Sequence, residues 1–292
     1  MFIIKYRKIF FTISAVLVLV AIFSIFSFGL NLGIDFKGGS ILEVSYTDNR
    51  PELAIVDARI ADSVSGQVIV QPTGENGYIV RAEGSSENDR QMLLSALSLG
   101  GDVEMNEERF NSIGPTIGAE LRSKAWIAIV IVVIAIIFFI AFVFRHVSEP
   151  VSSWKYGGIA IVALAHDIII PAGIFAYLGY EIDSLFVIAL LAILGLSIND
   201  TIVVFDRVRE NLKNKISNDF GETVGKSLKQ TFTRSINTSL TTLFVLLTLY
   251  FIGPESTQNF SLALALGIFF GTYSSIFLAS PLLVAVEKWK KK

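Results

Sequence analysis

Six stretches of the chain, residues 9–30, 125–144, 156–178, 184–205, 235–252 and 260–286, run nearly free of charge for the length of a membrane crossing. Crossing a hydrocarbon core of about 30 Å takes roughly 20 helical residues at 1.5 Å each. A chain with six such runs has lipid as its solvent, and 52% hydrophobic against 17% charged residues exclude an ordinary soluble enzyme. The third and fourth runs carry Asp167 and Asp200, yet the apolar residues around each acid still dominate. The first run follows Lys5, Arg7 and Lys8 and ends near a weak cleavage site, Ser27-Phe28-Gly29. Its 22 residues exceed the roughly 7–15 of a signal-peptide core, so it reads as an uncleaved anchor. With no cysteine and two histidines, the chain can form no disulfide and no cysteine-histidine zinc site, and no metal is expected.

Orientation follows the bases. Lys5, Arg7 and Lys8, then Arg145 and Lys155, then seven from Arg207 to Arg234, then Lys288 and Lys290 to Lys292 make 16 of the 24. If six helices alternate, all four groups share one side, which the positive-inside rule makes cytoplasmic. The short loops opposite carry Glu181, Asp183 and Glu255 and no base, while Arg122 and Lys124 run against the trend. The chain therefore divides into 1–30 (cytoplasmic N-terminus and first helix), 31–121 (an acidic soluble domain outside) and 122–292 (helices two to six, with a cytoplasmic loop at 206–234 and a cytoplasmic C-terminus).

Within the soluble segment, residues 41–47 alternate as a strand, and 51–64 carry proline early and helical apolar spacing after it. A strand at 67–71, a turn at 73–77 and a strand at 78–82 follow. A Ser-capped helix spans 86–99 up to Gly100-Gly101, and a last strand begins near 102. The order βαββαβ is ferredoxin-like α+β. The predicted fold class is thus a polytopic α-helical membrane protein with six transmembrane helices and a small ferredoxin-like domain between helices 1 and 2.

Ionisable groups within a membrane are costly and are functional or paired. Asp200, after Asn199, lies about 24 Å along its helix from Ser184, in the inner half of the bilayer. It reads either as a proton-binding carboxylate or as a packing group bonded to a neighbouring hydroxyl. Arg234 is its candidate cation or else a cytoplasmic anchor, and the series Ser235, Asn237, Thr238, Ser239, Thr241, Thr242 suits close helix contact. His166-Asp167 is a second titratable pair, although adjacent helical residues point about 100° apart and are not expected to share a site. Gly267 and Gly271 form a small-residue stripe for close packing, within the chain or against a partner. Gly221, Gly225, Lys226 and Ser227 imitate a phosphate loop one residue short, with no buried strand before them, so nucleotide hydrolysis is not expected. The surrounding bases read as a charged, partly helical connector near anionic headgroups.

Several segments together resemble the SecF branch of the SecD/SecF family of bacterial Sec translocation, related to resistance-nodulation-division transporters. They are Gly33-Ile34-Asp35-Phe36-Lys37-Gly38-Gly39, Ile113-Gly114-Pro115-Thr116-Ile117-Gly118-Ala119-Glu120-Leu121, Ala165-His166-Asp167, the run 197–211 around Asn199-Asp200, and 234–242 from Arg234. The resemblance covers essentially the whole chain. It implies a non-enzymatic inner-membrane subunit that pairs with SecD and uses the proton gradient, without a cofactor, to help draw preproteins out of SecYEG after SecA has pushed them in. It implies Asp200 as proton-binding carboxylate and Arg234 as its partner, with Asn199, His166 and Asp167 as accessory candidates. Lipid is a further partner; nucleic acid is not. Two other classes stay open: half of a small-molecule exporter of the wider superfamily, and a scaffold whose acids only pack.

The absence of native cysteine makes the topology directly testable. Cysteines placed at Ser85 and Asn259 should react with an impermeant thiol reagent added to sealed cells, and one at Asn218 should not; labelling at Asn218 would reverse the orientation.

Overall fold

The structure is a computed structural model that describes residues 2–64, 66, 68–145 and 151–290. Gln67 of the expected second strand, and Lys291 and Lys292 of the terminal base group, lie outside the described residues. The chain divides into two compact units, Leu32–Trp126 and a helical unit formed by Met1–Asn31 with Ile127–Lys292.

In the first unit the strands are β1 (Gly39–Tyr46), β2 (Val68–Thr73), β3 (Gly77–Ala82) and β4 (Met105–Ile113), in the order β2-β3-β1-β4 with every neighbouring pair antiparallel. With α2 (Leu53–Ser63) and α3 (Glu87–Leu97) this is the βαββαβ order read from the sequence. Alternation puts Leu42, Val44 and Tyr46 of β1 on one face, packed with Val80 of β3, Val56 and Ile60 of α2, and Leu93 and Leu97 of α3. Ser86 caps α3 through a reciprocal box: its Oγ accepts from Asp89 N (3.2 Å), and Asp89 Oδ2 accepts from Ser86 N (3.0 Å). The last strand starts at Met105 rather than 102, because Leu99, Gly100 and Gly101 turn the chain through positive φ first.

Two of the motif segments meet in this unit. Gly38 and Gly39 have φ +85° and +129°; a Cβ on Gly38 would lie 2.8 Å from Pro115 Cα, and one on Gly39 2.5 Å from the Ala82 carbonyl. Gly118 completes the contact, since its Cβ would stand 2.8 Å from Gly38 N. Only glycine permits both this backbone conformation and this approach.

Among the described residues, six helices are long and apolar enough to cross a membrane. They are α1 (Arg7–Phe28), α4 (Pro115–Val143), α5 (Ser153–Leu178), α6 (Ser184–Lys213), α7 (Phe220–Ile252), and a last span of α8 (Glu255–Tyr273), a π-helical turn (Ser274–Ala279) and α9 (Ser280–Lys290). The last span and α5 are central, with 67% and 61% of their most apolar windows buried; only 6% of that of α4 is. The ends expected to share one side do meet: Arg209 Nη1 donates to the Val143 carbonyl (3.4 Å), and Ile4 joins Phe220, Leu283 and Val284 in one cluster. At the opposite ends, Asn31 Nδ2 donates to the Gly179 carbonyl (3.1 Å).

The connector expected at 206–234 is corrected to a helical hairpin. α6 continues to Lys213 and α7 begins at Phe220, leaving a loop at 214–219. Hydropathy reads the segment as a loop because its polar residues pair between two helices: Asn211 Nδ2 donates to Ser227 Oγ and Gln230 Oε1 (both 2.8 Å), and Arg207 Nε to Gln230 Oε1 (2.6 Å). Asp219 caps α7 by accepting from Glu222 N at 2.7 Å. Gly221 and Gly225 therefore lie on a helix and form no phosphate cradle.

The Gly267/Gly271 stripe packs inside the chain. A Cβ on Gly267 would lie 2.2 Å from Ile193 of α6, and one on Gly271 3.0 Å from Ser197 Cβ. Gly267→Leu should lower the unfolding midpoint of the detergent-solubilised protein by an amount matching about 1–3 kcal/mol of overpacking or more. Gly195→Ala, where a Cβ meets nothing within 4 Å, should leave it near the parent value, and equal midpoints for the two variants would place the stripe elsewhere.

Candidate functional site

The polar centre of the bundle is built on Asp167 of α5, which has no exposed surface. Its Oδ2 accepts from Ser197 Oγ of α6 (2.5 Å) and from Ser274 Oγ of the π-helical turn (2.8 Å), and its Oδ1 lies 2.9 Å from His166 Nδ1. Three spans thus converge on one carboxyl group, as a buried carboxylate without a neighbouring cation requires. The expectation that His166 and Asp167 cannot share a site is corrected. The 100° offset separates their Cβ directions, but the two side chains leave Cα atoms about 3.8 Å apart and their tips meet. His166 is itself buried, stacked on Tyr273 at 5.9 Å between ring centroids with Phe270 at its edge, and its Nε2 has no partner among the described residues.

The π-helical turn places two adjacent buried serines against different spans, Ser274 against Asp167 of α5 and Ser275 against Thr201 of α6 (2.8 Å between hydroxyls). In the sequence Ser197 and Thr201 stand only as members of the run 197–211, with no role of their own, and the signal for Thr272, Ser274 and Ser275 is a hydroxyl residue on the buried stripe of an otherwise apolar span.

Asp200 lies one turn beyond Ser197 on α6 and is partly buried. Its Oδ2 is 3.4 Å from Ser239 Oγ of α7, and that hydroxyl also reaches the Ser235 carbonyl (2.8 Å), so its single hydrogen has two acceptors. Thr272 Oγ1 of α8 approaches Ser239 Oγ at 2.5 Å. Beside Asp200 a cavity of about 50 Å³ is lined by Ser197, Asn199, Thr238, Ser239, Gly271 and Thr272 among others. It has the polar lining and the volume to hold water. Ser197 is common to both groups: it bonds Asp167 and lines the cavity of Asp200.

Arg234, at the same helix pair, is exposed and forms no ion pair within 4 Å of Asp200. Asn199, Asn237, Thr238 and Thr241 are exposed too. Half of the hydroxyl series expected to make helix contacts therefore looks outward from the chain at membrane depth, while Ser235 and Ser239 are buried. Among the described residues no group of three or more His, Cys, Asp or Glu is arranged to hold a metal.

A family model described as the C-terminal part of the protein export membrane protein SecD/SecF matches residues 95–289, and one for the SecD/SecF GG motif matches 23–49. Similar proteins called protein translocase subunit SecF include that of Thermobaculum terrenum, 40% identical over 98% of this chain and 93% of its own length. That of Anaerolinea thermophila is 36% identical over 97% and 94%. The crystal structure of SecDF, a translocon-associated membrane protein from Thermus thermophilus, matches with a TM-score of 0.85 and 32% identity over 99% of this chain. SecDF in its super-membrane-facing form matches at 0.68, and in both cases the chain spans 38% of the SecDF polypeptide.

The geometry ranks the hydroxyls by what their loss exposes. Ser274→Ala removes a donor from a carboxyl group with no access to solvent and should cost about 1–3 kcal/mol of stability. Thr238→Ala, on the exposed face, should cost little. Thermal unfolding of the two purified variants checks this, and equal midpoints would mean that Asp167 does not depend on its donors.

Proposed function

The chain belongs to the SecD/SecF protein-export family, and on that premise we propose that it is the subunit that couples proton movement to Sec-dependent export, with Asp200 as the proton-binding carboxylate. It is a multi-pass membrane protein, and translocase subunits of its family support an accessory role in Sec export. The proposed location is the inner membrane with both termini cytoplasmic, on the strength of the base count.

The observation that carries the reading is the setting of Asp200. A carboxyl group at membrane depth is held by one long hydroxyl contact and opens on a cavity bordered by hydroxyl residues, while Arg234 acts on it electrostatically without an ion pair between the two among the described residues. A carboxyl group held this loosely, beside space that water can enter, accommodates both protonation states. Arg234 then serves as the electrostatic partner of the ionised form.

The outward-facing Asn199, Arg234, Asn237, Thr238 and Thr241 bear on the partner. Thr238 and Thr241 donate to carbonyls of their own helix, but the amides of Asn199 and Asn237 and the charge of Arg234 are costly on a lipid-facing surface, and a second membrane subunit covering them removes that cost. SecD fits the role, since a SecDF polypeptide contains a region similar to this whole chain within a longer one. The pair would act with SecYEG on preproteins delivered by SecA. One elementary charge crossing 100 mV supplies about 2.3 kcal/mol, enough to shift a two-state equilibrium several tens of fold.

Asp200→Asn keeps the shape and hydrogen-bonding capacity of the side chain but cannot exchange a proton. It should assemble normally and lose the gain in preprotein transport that an imposed proton gradient gives vesicles supplied with SecA and ATP. Asp200→Glu should retain part of that gain, and Arg234→Ala should mimic Asp200→Asn without adding to it in the double variant. If Asp200→Asn vesicles gain as much from the gradient as wild type, Asp200 only packs and the protein is a scaffold.

A further inference from the structure

Nothing in the role of Asp200 accounts for a second carboxyl group, deeper in the bundle and joined to the same cavity. Asp167 has no exposed surface, and its environment offers a single route outward. His166 occupies one carboxyl oxygen, and behind it the ring is closed in by Tyr273 and Phe270. Tyr273 is tied to α1, its hydroxyl donating to the Phe10 carbonyl at 3.3 Å. The other carboxyl oxygen meets Ser274, whose hydrogen has a second acceptor in the Gly271 carbonyl (3.0 Å), and Ser197, which lines the cavity of Asp200. Gly271 leaves this passage open: a Cβ there would stand 3.0 Å from Ser197 Cβ and 3.6 Å from Asp167 Oδ2.

We propose that Asp167, paired with His166, is a second proton-holding station in series with Asp200, and that Ser197 and water in the cavity pass the proton between them. The inference rests on the reading of Asp200 as a proton carrier. In the transfer, protonated Asp200 gives its proton to cavity water. That water gives one to Ser197 Oγ as the serine hydroxyl hydrogen moves to Asp167 Oδ2. Asp200 is left ionised and Asp167 neutral, with water and serine restored. The titratable group in contact with Asp167 is His166 on its own helix, with Tyr273 of α8 stacked on the imidazole, and Ser197 stands between Asp167 and the cavity that Asp200 lines.

The test uses the complex with its partner subunit, reconstituted into vesicles that enclose a pH-sensitive dye, with proton entry followed after a pH step. Asp200→Asn and Asp167→Asn should each abolish the flux, and Ser197→Ala should slow it at least about tenfold while the complex still assembles. Infrared difference spectra on raising the pH should lose two protonated-carboxyl bands, one absent from Asp200→Asn and the other from Asp167→Asn. A merely structural Asp167 contributes no such band. Wild-type flux in Asp167→Asn with none in Asp200→Asn overturns the second station and leaves the first intact. Wild-type flux in Asp200→Asn removes the carrier role of Asp200, and the series arrangement with it. Should Asp167→Asn fail to assemble, Ser197→Ala decides, and an unchanged flux in that variant overturns the proposal.

Discussion

A carboxyl group with no path to solvent has to be met by donors from the protein, and that demand organises the helical unit. Asp167 is supplied from three directions, by its neighbour His166, by Ser197 of α6 and by Ser274 of the last span. Ser197 and Ser274 each fix their own helix in register against α5, because a shift of one residue rotates a hydroxyl by about 100° out of reach. The apolar packing around the centre, Ala160, Ala163, Leu194 and Ala279 among others, supplies most of the burial but little of this specificity.

The same centre explains where the chain departs from regular helix and from bulky side chains. The last span meets two neighbours with adjacent hydroxyls, Ser274 for Asp167 and Ser275 for Thr201, and both sit on its π-helical turn. Gly267 and Gly271, about two turns and one turn before it, let α8 settle against Ile193 and Ser197 at a separation that a Cβ would crowd. Small residues bring the backbones together, and the hydroxyls then close the polar gaps that remain.

Much of this was legible in the sequence, for identifiable reasons. Six apolar runs and the alternation in β1 are signals set by the solvent, and they gave the helices and the βαββαβ order. Boundaries were harder to place wherever polar residues serve a helix. The hairpin closed by Asn211, Ser227 and Gln230 reads as a loop because hydropathy does not distinguish a polar contact between helices from a polar surface. Asp167, Asp200 and Arg234 stood out as charges near or within apolar runs. Their arrangement did not, since the link between the two acids runs through Ser197, a residue that in sequence is one serine among many. The contact of Gly38 with Pro115 is similarly invisible, because it joins segments more than seventy residues apart through backbone atoms alone.

The contrast between the exposed α4 and the enclosed α5 also bears on how the chain is made. The earlier two of these spans along the chain, α1 and α4, are the most apolar, and few residues of either are covered by the rest of the fold. Each partitions into lipid on its own account. The later four carry the aspartates, the buried hydroxyls and Arg234, and their buried polar groups find most of their partners in one another. Biogenesis thus has two stages: a pair of helices that anchor independently, then a group of four whose retention in the bilayer waits on mutual assembly. Substitutions that weaken the hydroxyl contacts would then act during insertion, before there is a finished protein to destabilise.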